Sequence, residues 1–278
     1  MHTHKKLNNG FEYIEINNSS ASAKIALNGA HIFHYEQKGK KPLLWLSENS
    51  NFEHKKAIRG GIPICWPWFG TSIKQTQPQH GFARTSLFEL TNINELDSNT
   101  TELSFKLEDS YETRKLWDYK FLLEFTVTIS DKLTMKLKTT NNDSKEFKIT
   151  QALHSYFLVS DISDVSIKGL DKRPYLDALS MENKVQNSEI TFNEEVDRVY
   201  QEVDKTIIIQ DKNRFIIIQN EGSSSAVVWN PWIDKCSRMS GMKDDAYKSF
   251  VCIESANAFD DFKIIKPKQT HILKATLF

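Results

Sequence analysis

Phe121-Leu122-Leu123-Glu124-Phe125-Thr126-Val127-Thr128-Ile129-Ser130 is the stretch that decides the fold. Phe121, Leu123, Phe125, Val127 and Ile129 alternate with a more polar set, the period of two of a strand with one buried face. Asp131-Lys132 turns the chain, and Leu133, Met135 and Leu137 resume the alternation until Asn141-Asn142-Asp143-Ser144 supplies a second turn. The segment therefore reads as a β-hairpin. Further short β-rich runs stand at 23–27, 147–150, 206–210, 215–219, 226–229 and 272–278, spaced by Gly, Asn, Asp and Lys clusters. That spacing predicts an all-β chain, a large antiparallel sandwich or barrel with few short helices. No amphipathic helix longer than about twelve residues passes the period-3.6 test. Residues 1–278 are expected to form one domain, since no repeat, linker or low-complexity tract divides them and large all-β folds reach about 250 residues as one unit.

Composition narrows the partners. Thirty-six basic and thirty-six acidic residues cancel, so neither nucleic acid nor a membrane surface is implied. Met1-His2-Thr3-His4-Lys5-Lys6 leads into polar residues without an apolar export segment, and no run of about eighteen apolar residues follows. Cys65, Cys236 and Cys252 are odd in number and lack C-x-x-C spacing, which argues against a disulfide framework. A cytoplasmic monomer is the expectation.

Residues 59 to 84 have a different character. Arg59-Gly60-Gly61-Ile62-Pro63 leads to Trp66-Pro67-Trp68-Phe69-Gly70 and then Gln79-His80-Gly81-Phe82-Ala83-Arg84. Glycine and proline impose unusual backbone geometry. Aromatic rings beside guanidinium groups make a surface that stacks on a sugar and grips an anion. The stretch reads as the wall of a small-molecule site. For Arg59 and Arg84 the competing reading is a salt bridge to one of the many acids; for Trp68 and Trp229 it is core packing.

Of eight histidines, His2, His4, His54 and His271 read as surface or satisfied residues. His31 and His34, three apart, would face opposite sides of a strand and cannot share a metal from it. His154, in Gln151-Ala152-Leu153-His154-Ser155-Tyr156-Phe157 just after the run 147–150, is either a core histidine or an imidazole poised to titrate near neutrality. Glu254 follows the apolar Phe250-Val251-Cys252-Ile253. A carboxylate there costs several kcal/mol unless paired or functional, so it is a buried ion pair with an arginine or a base with a raised pKa. Asp197 beside Arg198 reads, from these residues alone, as a surface pair.

Six blocks in order carry a family resemblance. They are Arg59 to Gly70, Gln79 to Arg84, Leu153-His154-Ser155-Tyr156-Phe157, Asp197-Arg198-Val199-Tyr200, Val228-Trp229-Asn230-Pro231-Trp232 and Cys252-Ile253-Glu254-Ser255-Ala256-Asn257. Together they resemble the hexose-phosphate mutarotase branch of the aldose 1-epimerase family, from about Lys24 to the C-terminal strand. The resemblance implies a β-sandwich with its site on a concave sheet face. It also implies Glu254 as general base, His154 as general acid and Asp197 as a sugar-hydroxyl ligand. Arg59 and Arg84 would hold a phosphate, with Gln79 and His80 as further donors and Trp68 and Trp229 stacking on the pyranose. One departure stands out: relatives often carry an acid between Met239 and Met242, where this chain has Ser240-Gly241.

The implied reaction exchanges the α and β anomers of an aldohexose 6-phosphate through the open-chain aldehyde, and needs no metal, nucleotide or redox cofactor. Alternatives within reach of the same residues are a free-aldose 1-epimerase and a non-catalytic sugar-phosphate-binding protein. A glycoside hydrolase could use Asp197 and Glu254 as its two carboxyl groups. A metal enzyme recruiting His80, His154 and Glu254 is disfavoured because no His-x-His or His-x-x-x-His spacing joins these residues.

Overall fold

A computed structural model describes residues 1–72 and 77–278. Phe121–Ile129 and Leu133–Asn141 form the expected hairpin, paired from Ile129 opposite Leu133 to Phe121 opposite Asn141. Every second residue of Phe121–Ile129 is buried, as the alternation requires. The hairpin lies inside a nine-stranded antiparallel sheet whose order is Ile190–Thr191, Ser166–Lys168, Thr206–Asp211, Arg214–Glu221, Thr270–Leu277, Leu133–Asn141, Phe121–Ile129, Thr101–Glu108 and Glu89–Glu95. A seven-stranded antiparallel sheet, ordered Glu182–Val185, Pro174–Asp177, Val196–Tyr200, Ser225–Asn230, Phe250–Asn257, Gln151–Leu158 and Ile64–Cys65, forms the second layer. One contiguous apolar core joins the two: Phe125, Val127 and Leu137 of the first sheet with Leu153, Phe157, Val228, Val251 and Ile253 of the second. Each such large side chain contributes about 1.5–3 kcal/mol by leaving water. The chain is thus an all-β sandwich. A four-stranded sheet, His2–Lys6 to Ile32–Gln37, adds to it.

The two described α-helices, Tyr111–Leu116 and Trp232–Arg238, have six and seven residues. Among the described residues no helix is long and apolar enough to cross a membrane.

Three adjacent strands of the seven-stranded sheet, Gln151–Leu158, Phe250–Asn257 and Ser225–Asn230, are buried along almost their whole length. Both faces are covered, so their sequences lose the alternation that marks a strand with one wet face. The run 147–150 yields only the short strand Phe147–Ile149, and His154 falls in the middle of its own strand rather than after one.

The loop after Ile64–Cys65 is tied to the core by Trp66, fully buried, whose indole N–H donates to Thr139 Oγ1 at 3.0 Å. Gly81 lets a second segment close on it. A Cβ at Gly81 would stand 1.9 Å from the Trp66 carbonyl oxygen, in a backbone with φ of +71°. No side chain fits there.

Candidate active site

One face of the seven-stranded sheet turns away from the sandwich core. On it, two rows cross the strands. His154 stands opposite Glu254, Glu254 opposite Val227, and Val227 opposite Val199. In the adjacent row Tyr156, Cys252, Trp229 and Asp197 follow one another in the same way. The backbone N–H of His154 donates to Pro63 O and that of Tyr156 to Gly61 O, both on the edge away from Glu254. His154 and Glu254 are therefore a non-hydrogen-bonded cross-strand pair, the kind whose side chains approach closest. His154 Nε2 lies 3.2 Å from Glu254 Oε1.

These side chains floor a cavity of about 400 Å³. Arg59, Gln79, His80, Arg84, His154, Asp197, Trp229 and Glu254 all line it. Eight of the nine residues expected at the site are thus brought together from six segments of the chain. Trp68 is the exception. Its ring packs edge-on against Phe82 with centroids 5.8 Å apart, its indole N–H donates to Pro78 O, and it lines a neighbouring cavity with Trp117 and Tyr119 instead of this one. A separate cavity of about 480 Å³ beside Lys41, Arg214 and Phe215 holds no histidine, and its carboxylate, Asp211, is engaged by the amide and hydroxyl of Ser160.

His154 is 8% exposed and Glu254 2%, and burial dominates their electrostatics. Loss of water pushes the Glu254 carboxyl well above its ordinary range, reinforced by the Asp197 charge and opposed by Arg84. Loss of water pushes His154 well below its ordinary range, helped by His80 and Arg84. The expectation that His154 titrates near neutrality is corrected by this burial. Two buried polar atoms of the pair, His154 Nδ1 and Glu254 Oε2, have no hydrogen-bond partner among the described residues. An unmet polar group costs about 1–3 kcal/mol, which a ligand that pairs it recovers.

Tyr156 stacks on His154, ring centroids 4.9 Å apart and planes within 11°, and so fixes the imidazole plane. Trp229 meets His154 edge-on at 6.0 Å. His80 also packs edge-on against it at 5.9 Å and is pushed down to about 3 by burial, with Arg84 and Arg59 adding to the effect. His80 Nδ1 accepts from the Gly70 amide at 3.1 Å. The neutral ring therefore carries its proton on Nε2, leaving a donor.

Neither Arg59 nor Arg84 stands in a salt bridge among the described residues. Among the described residues, carboxylates pair with Arg114, Arg173 and Arg214 but not with these two. One Arg84 amino group donates to Gln79 O at 2.8 Å, and the Tyr156 phenol faces Arg59. Gly241 lies close to the root of one of them: a Cβ added there would stand 4.0 Å from Arg59 Cβ.

Tyr156 and Lys235 belong to the cavity wall and escaped the sequence reading. Tyr156 was accessible to it, since two residues along a strand return to the same face. Lys235 carries no pattern; it arrives on the helix Trp232–Arg238, beyond a Trp232 held at φ of +54°.

The sequence model of the aldose 1-epimerase family matches residues 12–276. The chain is 36% identical over 268 residues to an Escherichia coli K12 protein provisionally named glucose-6-phosphate 1-epimerase, covering 95% of this chain and 89% of that one. A Cenchrus ciliaris protein with the same provisional name is 36% identical over 248 residues, with 84% and 74% covered. A Salmonella typhimurium crystal structure, provisionally described as a mutarotase, matches with a TM-score of 0.93 and 34% identity, over 99% of this chain and 92% of that one. With its β-sandwich and its matched length, this chain belongs to the aldose 1-epimerase family and is an isomerase.

Proposed function

We propose that the protein interconverts the α and β anomers of an aldohexose 6-phosphate, glucose 6-phosphate in the first instance, with Glu254 as base and His154 as acid. The C1 hydroxyl and the ring oxygen of a pyranose are bonded to one carbon. Their protons must therefore be handled by two neighbouring groups, a requirement that a cross-strand pair 3.2 Å apart meets. Glu254 takes the hydroxyl proton while the C1 carbonyl forms, the bond from C1 to the ring oxygen breaks, and His154 Nε2 protonates that oxygen. The C1–C2 bond rotates, the ring recloses on the other carbonyl face, and the two roles exchange.

Burial raises Glu254 and lowers His154, which favours the proton of the pair on Glu254. Its passage from Oε1 to Nε2 creates the carboxylate base and the imidazolium acid together, with no proton exchanged with solvent. Each transfer supplies roughly 10²–10⁴ in rate.

The observation that carries the phosphate is the pair of unbridged arginines on the cavity wall. Guanidinium forks bind phosphate oxygens in a bidentate manner, and a neutral hexose gives them no counter-charge. The provisional names of the relatives agree with this substrate. NMR saturation transfer between the anomers of glucose 6-phosphate, with glucose alongside, is the test. Exchange accelerated for the phosphate alone supports the proposal; equal acceleration of both sugars removes the phosphate specificity, and an uncatalysed rate with folded protein removes the activity.

A further inference from the structure

Resting on that reading of the site, we infer that Lys235 is a positioning residue, one that holds Asp197 as a carboxylate aimed at the sugar hydroxyls.

Asp197 ends the row that begins at Tyr156, on the strand Val196–Tyr200, and it lines the cavity. Its own strand and sheet give it little positive company. Glu195 stands two residues before it, and Asp177 on the neighbouring strand is already paired with Lys184 at 2.8 Å. Glu254 lies across the same face, and the Cys252 thiol lies in its row. The cation comes from outside the sheet. Lys235 Nζ lies 2.7 Å from Glu195 Oε1 and 3.6 Å from Asp197 Oδ2, and 5.9 Å from the centre of the Trp229 ring.

The helix that delivers Lys235 is itself anchored. Asn230 Oδ1 accepts from the Trp232 amide at 2.9 Å, and Asn230 Nδ2 donates to Tyr247 O and Phe250 O. A bulky residue at positive φ is an unfavourable conformation, kept where the surroundings enforce it. Here it starts the helix at the edge of the cavity and puts the ammonium between two carboxylates. An ammonium has three N–H donors, so it can bind Glu195 and still serve Asp197. Burial favours the neutral acid at Asp197, and Lys235 opposes that tendency. A protonated Asp197 loses one of its acceptor sites, which the sugar hydroxyls need.

Removing the ammonium must then raise the pH at which Asp197 takes up a proton. In Lys235→Met the KM for glucose 6-phosphate is expected to rise at least ten-fold with a smaller change in kcat, and the acid limb of kcat/KM to move to higher pH. Lys235→Arg restores most of both. Asp197→Asn reproduces the KM loss, and adding Lys235→Met to it costs little more. Carboxyl ¹³C titration of Asp197 in ligand-free protein gives a readout independent of turnover: its midpoint rises in Lys235→Met. An unmoved midpoint, an unchanged acid limb, or losses that multiply in the double variant overturns the inference. If the wild type does not accelerate anomer exchange, the functional proposal falls while the titration still decides the role of Lys235.

Discussion

His154 and Glu254 face each other across adjacent antiparallel strands, Nε2 to Oε1 at 3.2 Å, as a cross-strand pair whose backbone hydrogen bonds point outward to other strands. Two adjacent strands set the spacing, so the proposed acid and base are both held by the sheet and neither by a loop.

Either half of the pair removed should stop the reaction. His154→Ala and Glu254→Gln are each expected to lower kcat by about 10²–10⁴. The double variant should be no slower than the worse single one, because acid and base act in one step. Anomer exchange by NMR measures this, and circular dichroism checks that the fold survives.

The pH profile follows from the signs. As pH rises through the raised value of Glu254 the pair loses its one proton and the acid is gone; as pH falls through the depressed value of His154 a second proton enters and the base is gone. Activity attributable to the pair should be flat between those limits. Asp197→Asn removes a charge that helps to raise Glu254, so its alkaline limb should move to lower pH.

Arg59→Leu and Arg84→Leu should each cost about 1.5–3 kcal/mol in kcat/KM for glucose 6-phosphate, the worth of a charged hydrogen bond. Activity on free glucose, if measurable, should be unaffected or improved. Gly241→Asp would place a carboxylate near Arg59 and should reproduce part of the Arg59→Leu loss. Steady-state kinetics on the two sugars separates these outcomes.

Stability should fall on acidification through His31. This ring is fully buried, with Nε2 2.8 Å from Gly60 O, and is pushed down to about 3 by burial. A depressed histidine stabilises fully above its unfolded value of 6.5 and loses that contribution as pH drops towards the folded one. From pH 7 to pH 5 the loss is about 2 kcal/mol for this one residue. Urea unfolding at both pH values should show that difference shrink in His31→Gln.

The sequence by itself determined the all-β class, through the alternation in Phe121–Ile129 and Leu133–Asn141, because one face of those strands is wet and one is dry. It also marked His154, Glu254, Arg59 and Arg84, since an ionisable group in an apolar run or a glycine-rich aromatic loop is costly to keep without a use. Gln151–Leu158 is covered on both faces, so its strand does not show in a period-two pattern, and the i, i+2 relation of His154 and Tyr156 goes unmarked with it. Trp68 looked like a sugar platform from its neighbours in sequence, but the turn of the chain pointed it at Phe82. Only the tertiary structure set Lys235 beside Asp197, 38 residues away in sequence, because that contact depends on where a short helix meets a sheet and on no local preference of either.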